Sequence, residues 1–98
     1  MIIELKKFGE ILVSRQDGRE AFAAFRPTLV RAQDSENIEI DFTGVRVFSP
    51  SWGDEFFRPL FEMFNSDRVV FKNTKNSSVE ETLNFLEKLK GVRFNIVQ

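Results

Sequence analysis

The chain has no cysteine, no histidine and no tyrosine. Thiol nucleophiles, imidazole bases, disulfides and the usual zinc ligand sets are thereby excluded. What remains for chemistry is carboxylates, hydroxyls, Lys and Arg, a poor kit for an enzyme. No apolar run approaches the roughly 18 residues of a membrane span, and the N-terminal MIIELKKFGE lacks the pattern of a secretory leader. A cytoplasmic protein with no membrane contact is expected. Neither sign of charge dominates: 14 Lys and Arg stand against 15 Asp and Glu, a net charge of −1. Spread along the chain, these cations form no basic stripe, so nucleic acid is not expected as a partner. Nothing calls for a metal or cofactor. What is present suits one domain over residues 1–98: 42% of residues are hydrophobic, and 12 Phe and one Trp can fill a core.

Hydrophobic periodicity alternates between two and 3.6 residues. Ile2 to Leu5 (strand 1) and Ile11 to Val13 (strand 2), separated by Lys6-Lys7-Phe8-Gly9-Glu10, predict a hairpin. Asp17 with Glu20 three residues on predicts the cap of helix 1, which carries Phe22, Phe25 and Leu29 to about Arg31 and is disturbed at Pro27. A polar connection from Gln33 to Glu36 leads to strand 3, where Ile38, Ile40 and Phe42 alternate with Glu39 and Asp41. Helix 2 is predicted from about Ser51 to Phe64, and strand 4 from Arg68 to Lys72. Helix 3 starts at Ser77 or Ser78 and stops at Gly91, and strand 5 runs from Val92 to Val97. The order β-β-α-β-α-β-α-β predicts an α/β domain with a four- to five-stranded mixed, mainly parallel sheet. Because strands 3 and 5 alternate, one sheet face should be open and the three helices should lie mainly on the other. Right-handed crossovers then lay the strands down in one direction, leaving no topological switch point for a nucleotide.

The stretch VFSPSWGDEFF, from Val47 to Phe57, holds the only Trp. Ser49 followed by Pro50 fits an N-cap with proline at the first helical position; Ser51 with Asp54 is the alternative cap. Either way Asp54 and Glu55 fall in the first turn, where the helix dipole favours anions. On a helical wheel Ser51, Asp54, Glu55, Arg58 and Glu62 share an arc, and Trp52, Phe56, Phe57, Leu60, Phe61, Met63 and Phe64 fill the rest. Such breadth fits a helix buried on both flanks, or one with a partner-binding edge at Trp52, Phe57 or Phe61. Gly53 in a first helical turn predicts close approach of another backbone or of a partner.

The block from Ile38 to Glu55, with Ser14-Arg15 upstream, resembles the STAS-like proteins, an offshoot of the STAS domains typified by bacterial anti-sigma-factor antagonists. In those domains a strand ending in aspartate, a hydrophobic residue, any residue, Gly and Val leads into Asp-Ser-Ser-Gly-Leu at a helix start, whose first serine is phosphorylated by a partner kinase of the GHKL ATPase type. Here Ser49 matches the aspartate, Pro50 the phosphorylated serine, Ser51 the second serine, Trp52 the glycine and Gly53 the leucine. The resemblance implies a STAS-like fold and docking of a protein partner, a GHKL-type ATPase being the candidate, at the strand 3 to helix 2 rim. Thr43, Gly44, Ser49, Pro50, Ser51, Trp52, Gly53, Asp54, Phe57 and Arg58 are the matching partner-binding positions. Ser51 and Ser49 are the phosphorylation candidates, although proline at the acceptor position argues for docking without a phosphoserine switch.

A regulatory interaction module without catalytic residues, monomeric or weakly dimeric, is therefore the leading expectation. The alternative is a small ligand-binding domain or enzyme using the Asp41 and Asp54 carboxylates, with Arg15 or Arg58 contacting an anion.

Overall fold

A computed structural model describes residues 1–32 and 36–97. Its elements are β1 (Ile2–Glu4), β2 (Ile11–Leu12), α1 (Arg15–Leu29), β3 (Ile38–Asp41), β4 (Val47–Phe48), α2 (Pro50–Met63), β5 (Val69–Lys72), α3 (Ser77–Lys90) and β6 (Asn95–Val97). Most of the polar connection expected from Gln33 to Glu36 lies outside the described residues; only Glu36 is within them.

The main sheet has the order β1-β3-β5-β6, and every pairing in it is parallel. Its strands step across the sheet in one direction, as expected for crossovers of one hand. Ile3, Ile40, Phe71 and Ile96 form one registered row on the covered face, and the first three are fully buried. The opposite face carries Ile2, Glu4, Glu39, Asp41, Lys72, Asn95 and Val97, exposed or half-exposed, and one largely buried residue, Val70, in the row of Glu39 and Asn95. The three helices thus cover one face, and the other stays open.

The expected hairpin is absent, and with it the antiparallel pair that would have made the sheet mixed. Leu5–Phe8 form a single 3-10 turn that buries Leu5, and β1 pairs with β3. Meanwhile β2 pairs in parallel with β4, a strand the sequence reading missed, in a separate two-stranded ladder. Short alternating runs specify a face but not a partner, which explains the error.

Helix ends follow local chemistry. Ser14, not Asp17, caps α1: its Oγ accepts the Asp17 N–H at 2.9 Å, so Asp17 occupies the acidic first turn instead. Pro27 is accommodated near the end of α1, which stops at Leu29 rather than Arg31. Asn76, not Ser77 or Ser78, caps α3, accepting from the Ser78 and Val79 N–H groups. Gly91 ends α3 in the left-handed conformation, φ +66°, as expected. Strand β6 is shorter than expected because the Phe94 N–H donates to the Glu87 carboxylate before pairing begins.

Between the layers lies a chain of aromatic rings. Trp52 stacks on Phe56 at 5.0 Å, Phe48 meets Phe42, Trp52 and Phe57, and Phe71 meets Phe57 and Phe94. Helices α1 and α2 approach closely because Gly18 has no side chain: a Cβ there would lie 2.6 Å from the Trp52 carbonyl oxygen.

Candidate functional site

The rim begins where β3 ends. Asp41 Oδ1 accepts the Thr43 N–H, the Thr43 hydroxyl and the Asn73 side-chain amide at 2.7–2.9 Å, which folds the chain into a turn. Gly44 sits in that turn at φ +83°. Burial raises the Asp41 pKa, but the Asn73 and Thr43 hydrogen bonds and the Lys72 charge outweigh it, leaving the carboxyl below its ordinary range.

The chain then enters β4, which is held on both sides. The Arg46 and Val47 N–H groups donate to Glu10 O, and the Ser49 N–H to Leu12 O. From the other side Ser78 Oγ accepts the Phe48 N–H at 3.0 Å, and the buried Thr82 hydroxyl donates to Phe48 O at 2.6 Å. Asn76 Nδ2 donates to Val45 O and Arg46 O. Outward from this ladder point Ile11 and its partner Val47, 57% and 40% exposed, with Val13 beside them at 44%.

Ser49 is the cap of α2, which settles the choice between the two serines. Its Oγ accepts the Trp52 N–H and donates to Val13 O at 2.8 Å, and Pro50 takes the first helical position. Ser51 is half-buried, and among the described residues its hydroxyl has no partner. Trp52, Gly53 and Phe57 are buried, so the exposed edge expected at Trp52 or Phe57 is absent and these residues form the inner wall of the rim. Fully burying an aromatic side chain contributes about 1.5–3 kcal/mol, a gain that exposing Trp52 to a partner would forfeit in the free protein. Gly53 admits core side chains rather than a backbone or a partner, since a Cβ would lie 2.8 Å from Phe48 Cζ and 2.9 Å from Leu86 Cδ1.

Asp54 and Glu55 anchor an ion cluster that joins all three helices. Asp54 meets Lys90 at 3.0 Å and Arg15 and Arg58 at 3.4 Å. Glu55 meets Arg15 at 3.0 Å, Arg58 at 3.6 Å and Arg19 at 3.7 Å. Burial raises the Asp54 pKa, yet the Lys90 hydrogen bond, the Lys90 and Arg58 charges and the Arg15 hydrogen bond bring it below the ordinary range. The Arg15 hydrogen bond lowers Glu55, and the Glu55 and Asp54 hydrogen bonds raise Arg15. Arg15 and Arg58 therefore serve Asp54 and Glu55, and among the described residues Asp41 shares no partner with Asp54. Sequence reasoning missed Arg19 and Lys90. Arg19 is signalled by its i,i+4 spacing from Arg15; Lys90 follows only from the crossing of α3 over α2.

Among the described residues no group of three or more Asp, Glu, His or Cys could hold a metal, and no helix is long and apolar enough to cross a membrane.

A parallel sheet covered on one face, with its strand 3 leading through a braced turn into a serine-capped helix, defines a STAS-type α/β domain. The family model described as a STAS-like domain of unknown function matches residues 18–79, more than half of the sequence, and the chain belongs to that family. The match takes in the whole rim from β3 to the start of α3. No curated protein and no solved structure matches the chain.

Proposed function

We propose that this domain is a non-enzymatic regulatory module that docks a protein partner on the β3 to α2 rim. The observation that carries this reading is the outward apolar set Ile11, Val13 and Val47 beside the capped start of α2, on a ladder braced from both sides. Exposed Thr43 and Gly44 and half-buried Pro50 and Ser51 extend the same surface. Rim carboxylates held ionised by donors and cations suit recognition, whereas a general acid needs a raised pKa. The family resemblance makes a GHKL-type ATPase the candidate partner. Proline at the acceptor position and a Ser49 hydroxyl already engaged at both ends favour binding without a phosphoserine switch.

The test uses the protein as bait in lysate, with and without Mg-ATP, beside the exposed-site variant Val47→Glu. Wild type should recover a GHKL-type ATPase that the variant loses, and the recovered bait should keep its unmodified intact mass. Equal recovery by the variant would remove the rim from the interface, and a stoichiometric phosphate on Ser49 or Ser51 that releases the partner would restore the switch.

A further inference from the structure

Cations that are scattered in sequence converge on one surface of the helical layer, interleaved with carboxylates. Arg15, Arg19, Phe22 and Arg26 follow one another at i, i+4, i+7 and i+11 on α1, so three guanidiniums and one ring share a stripe. Beside it, α1 and α2 flank an open groove of about 350 Å³ lined by Arg19, the exposed edge of the largely buried Phe22, Ala23, Arg26, Arg58 and Pro59, with Glu55 and Glu62 at its α2 wall. Around this groove Arg15, Arg19, Arg26 and Arg58 stand near Asp54, Glu55 and Glu62, and Asp54 is already paired with Lys90, so four exposed guanidiniums outnumber the carboxylates in a chain whose net charge is −1.

The guanidiniums among these cations keep free donors while they brace the helices. Asp54 and Glu55 are each shared among three cations, and the Arg15, Arg19 and Arg58 side chains remain 51–63% exposed. Arg26 is exposed and has no partner among the described residues. Glu55 nevertheless holds three guanidiniums on one side of the groove, so their remaining N–H donors are pre-oriented.

We propose that the α1/α2 groove is a second docking surface, independent of the rim, for an acidic peptide segment whose carboxylates meet Arg19, Arg26 and Arg58 and whose apolar side chain seats on Phe22, Ala23 and Pro59. Charge complementarity selects an anion, and spacing selects a peptide. Arg19 and Arg26 are seven residues apart on a helix, roughly 10 Å, which one small anion cannot span and about three extended residues can. Interleaved Glu55 and Glu62 count against a uniformly anionic nucleic acid backbone.

Fluorescence anisotropy with a labelled Glu-Glu-Leu repeat peptide of about twelve residues tests this, beside its Gln-Gln-Leu counterpart and an oligothymidylate of equal length. The Glu peptide should bind, the Gln peptide should not, and Arg19→Gln/Arg26→Gln should weaken binding roughly fivefold or more with unchanged thermal unfolding. Raising NaCl from about 50 to about 300 mM should weaken it further. Val47→Glu should bind the peptide like wild type, which separates this groove from the rim. Absent binding, equal binding by the double variant or by the Gln peptide, displacement by equimolar inorganic phosphate, or tighter binding of the oligothymidylate would each overturn the proposal.

Discussion

The two helical glycines differ in what surrounds them. At Gly18 an added methyl meets backbone, the Trp52 carbonyl oxygen at 2.6 Å, which moves only if α1 and α2 separate. At Gly53 it meets the tips of two side chains, Phe48 and Leu86, which can shift by small amounts. Alanine gains about 1 kcal/mol over glycine by helix propensity, and overpacking costs about 1–3 kcal/mol. Gly18→Ala should therefore be the more damaging, lowering the melting temperature by roughly 5 °C or more, while Gly53→Ala lowers it less. A melting temperature for Gly18→Ala at or above that of Gly53→Ala would contradict this ranking. The two rim serines differ in the same way. Ser49→Ala loses a cap and a donor to Val13 O and should cost about 1 kcal/mol in urea denaturation, whereas Ser51→Ala should stay within about 0.5 kcal/mol.

Single caps hold more than their own helices. Asn76 accepts two N–H groups at the start of α3, and its amide nitrogen donates to the Val45 and Arg46 carbonyls that lead into β4. Asn76→Ala should cost about 1–2 kcal/mol, and the far-ultraviolet signal of the folded state should survive because the other elements remain. Normal stability of that variant would show that α3 needs no cap. The same residue shows how much was legible in sequence. Periodicity located all three helices and four strands of the main sheet, because burial on one face writes itself into spacing. Asn76 and Ser14 were overlooked because other capping-type residues, Ser77 and Ser78 in one case and Asp17 in the other, stand within three residues of them, and spacing does not choose between neighbours. Strand β4 left no periodic signal at all: two residues cannot display one. At the site, Asp54, Glu55, Arg15 and Arg58 were readable from motif and wheel, whereas the burial of Trp52 and Phe57 and the reach of Lys90 depended on packing.

The ion cluster acts on the whole molecule because it fastens α1 and α3 to α2 through Asp54 and Glu55. Both carboxyls, and Asp41, have folded pKa values below their ordinary ones, so the folded state binds fewer protons than the unfolded state near those values. Their stabilisation is fully present above the ordinary values of 4.5 for Glu and 3.8 for Asp and is lost as pH falls through the lower folded ones. Urea midpoints should stay level, as far as these groups are concerned, from about pH 7 to 5 and fall below it, with a shallower fall in Lys90→Met. A midpoint that rises on acidification would reverse the sign and discard the cluster as a stabilising element. The bracing of β4 has a consequence of another kind. Phe48 is gripped by β2, which precedes it, and by Ser78 and Thr82 of α3, 30 and 34 residues after it. The surface beside it is therefore complete only when segments far apart in sequence have packed together, and a clipped or half-unravelled copy presents a different face.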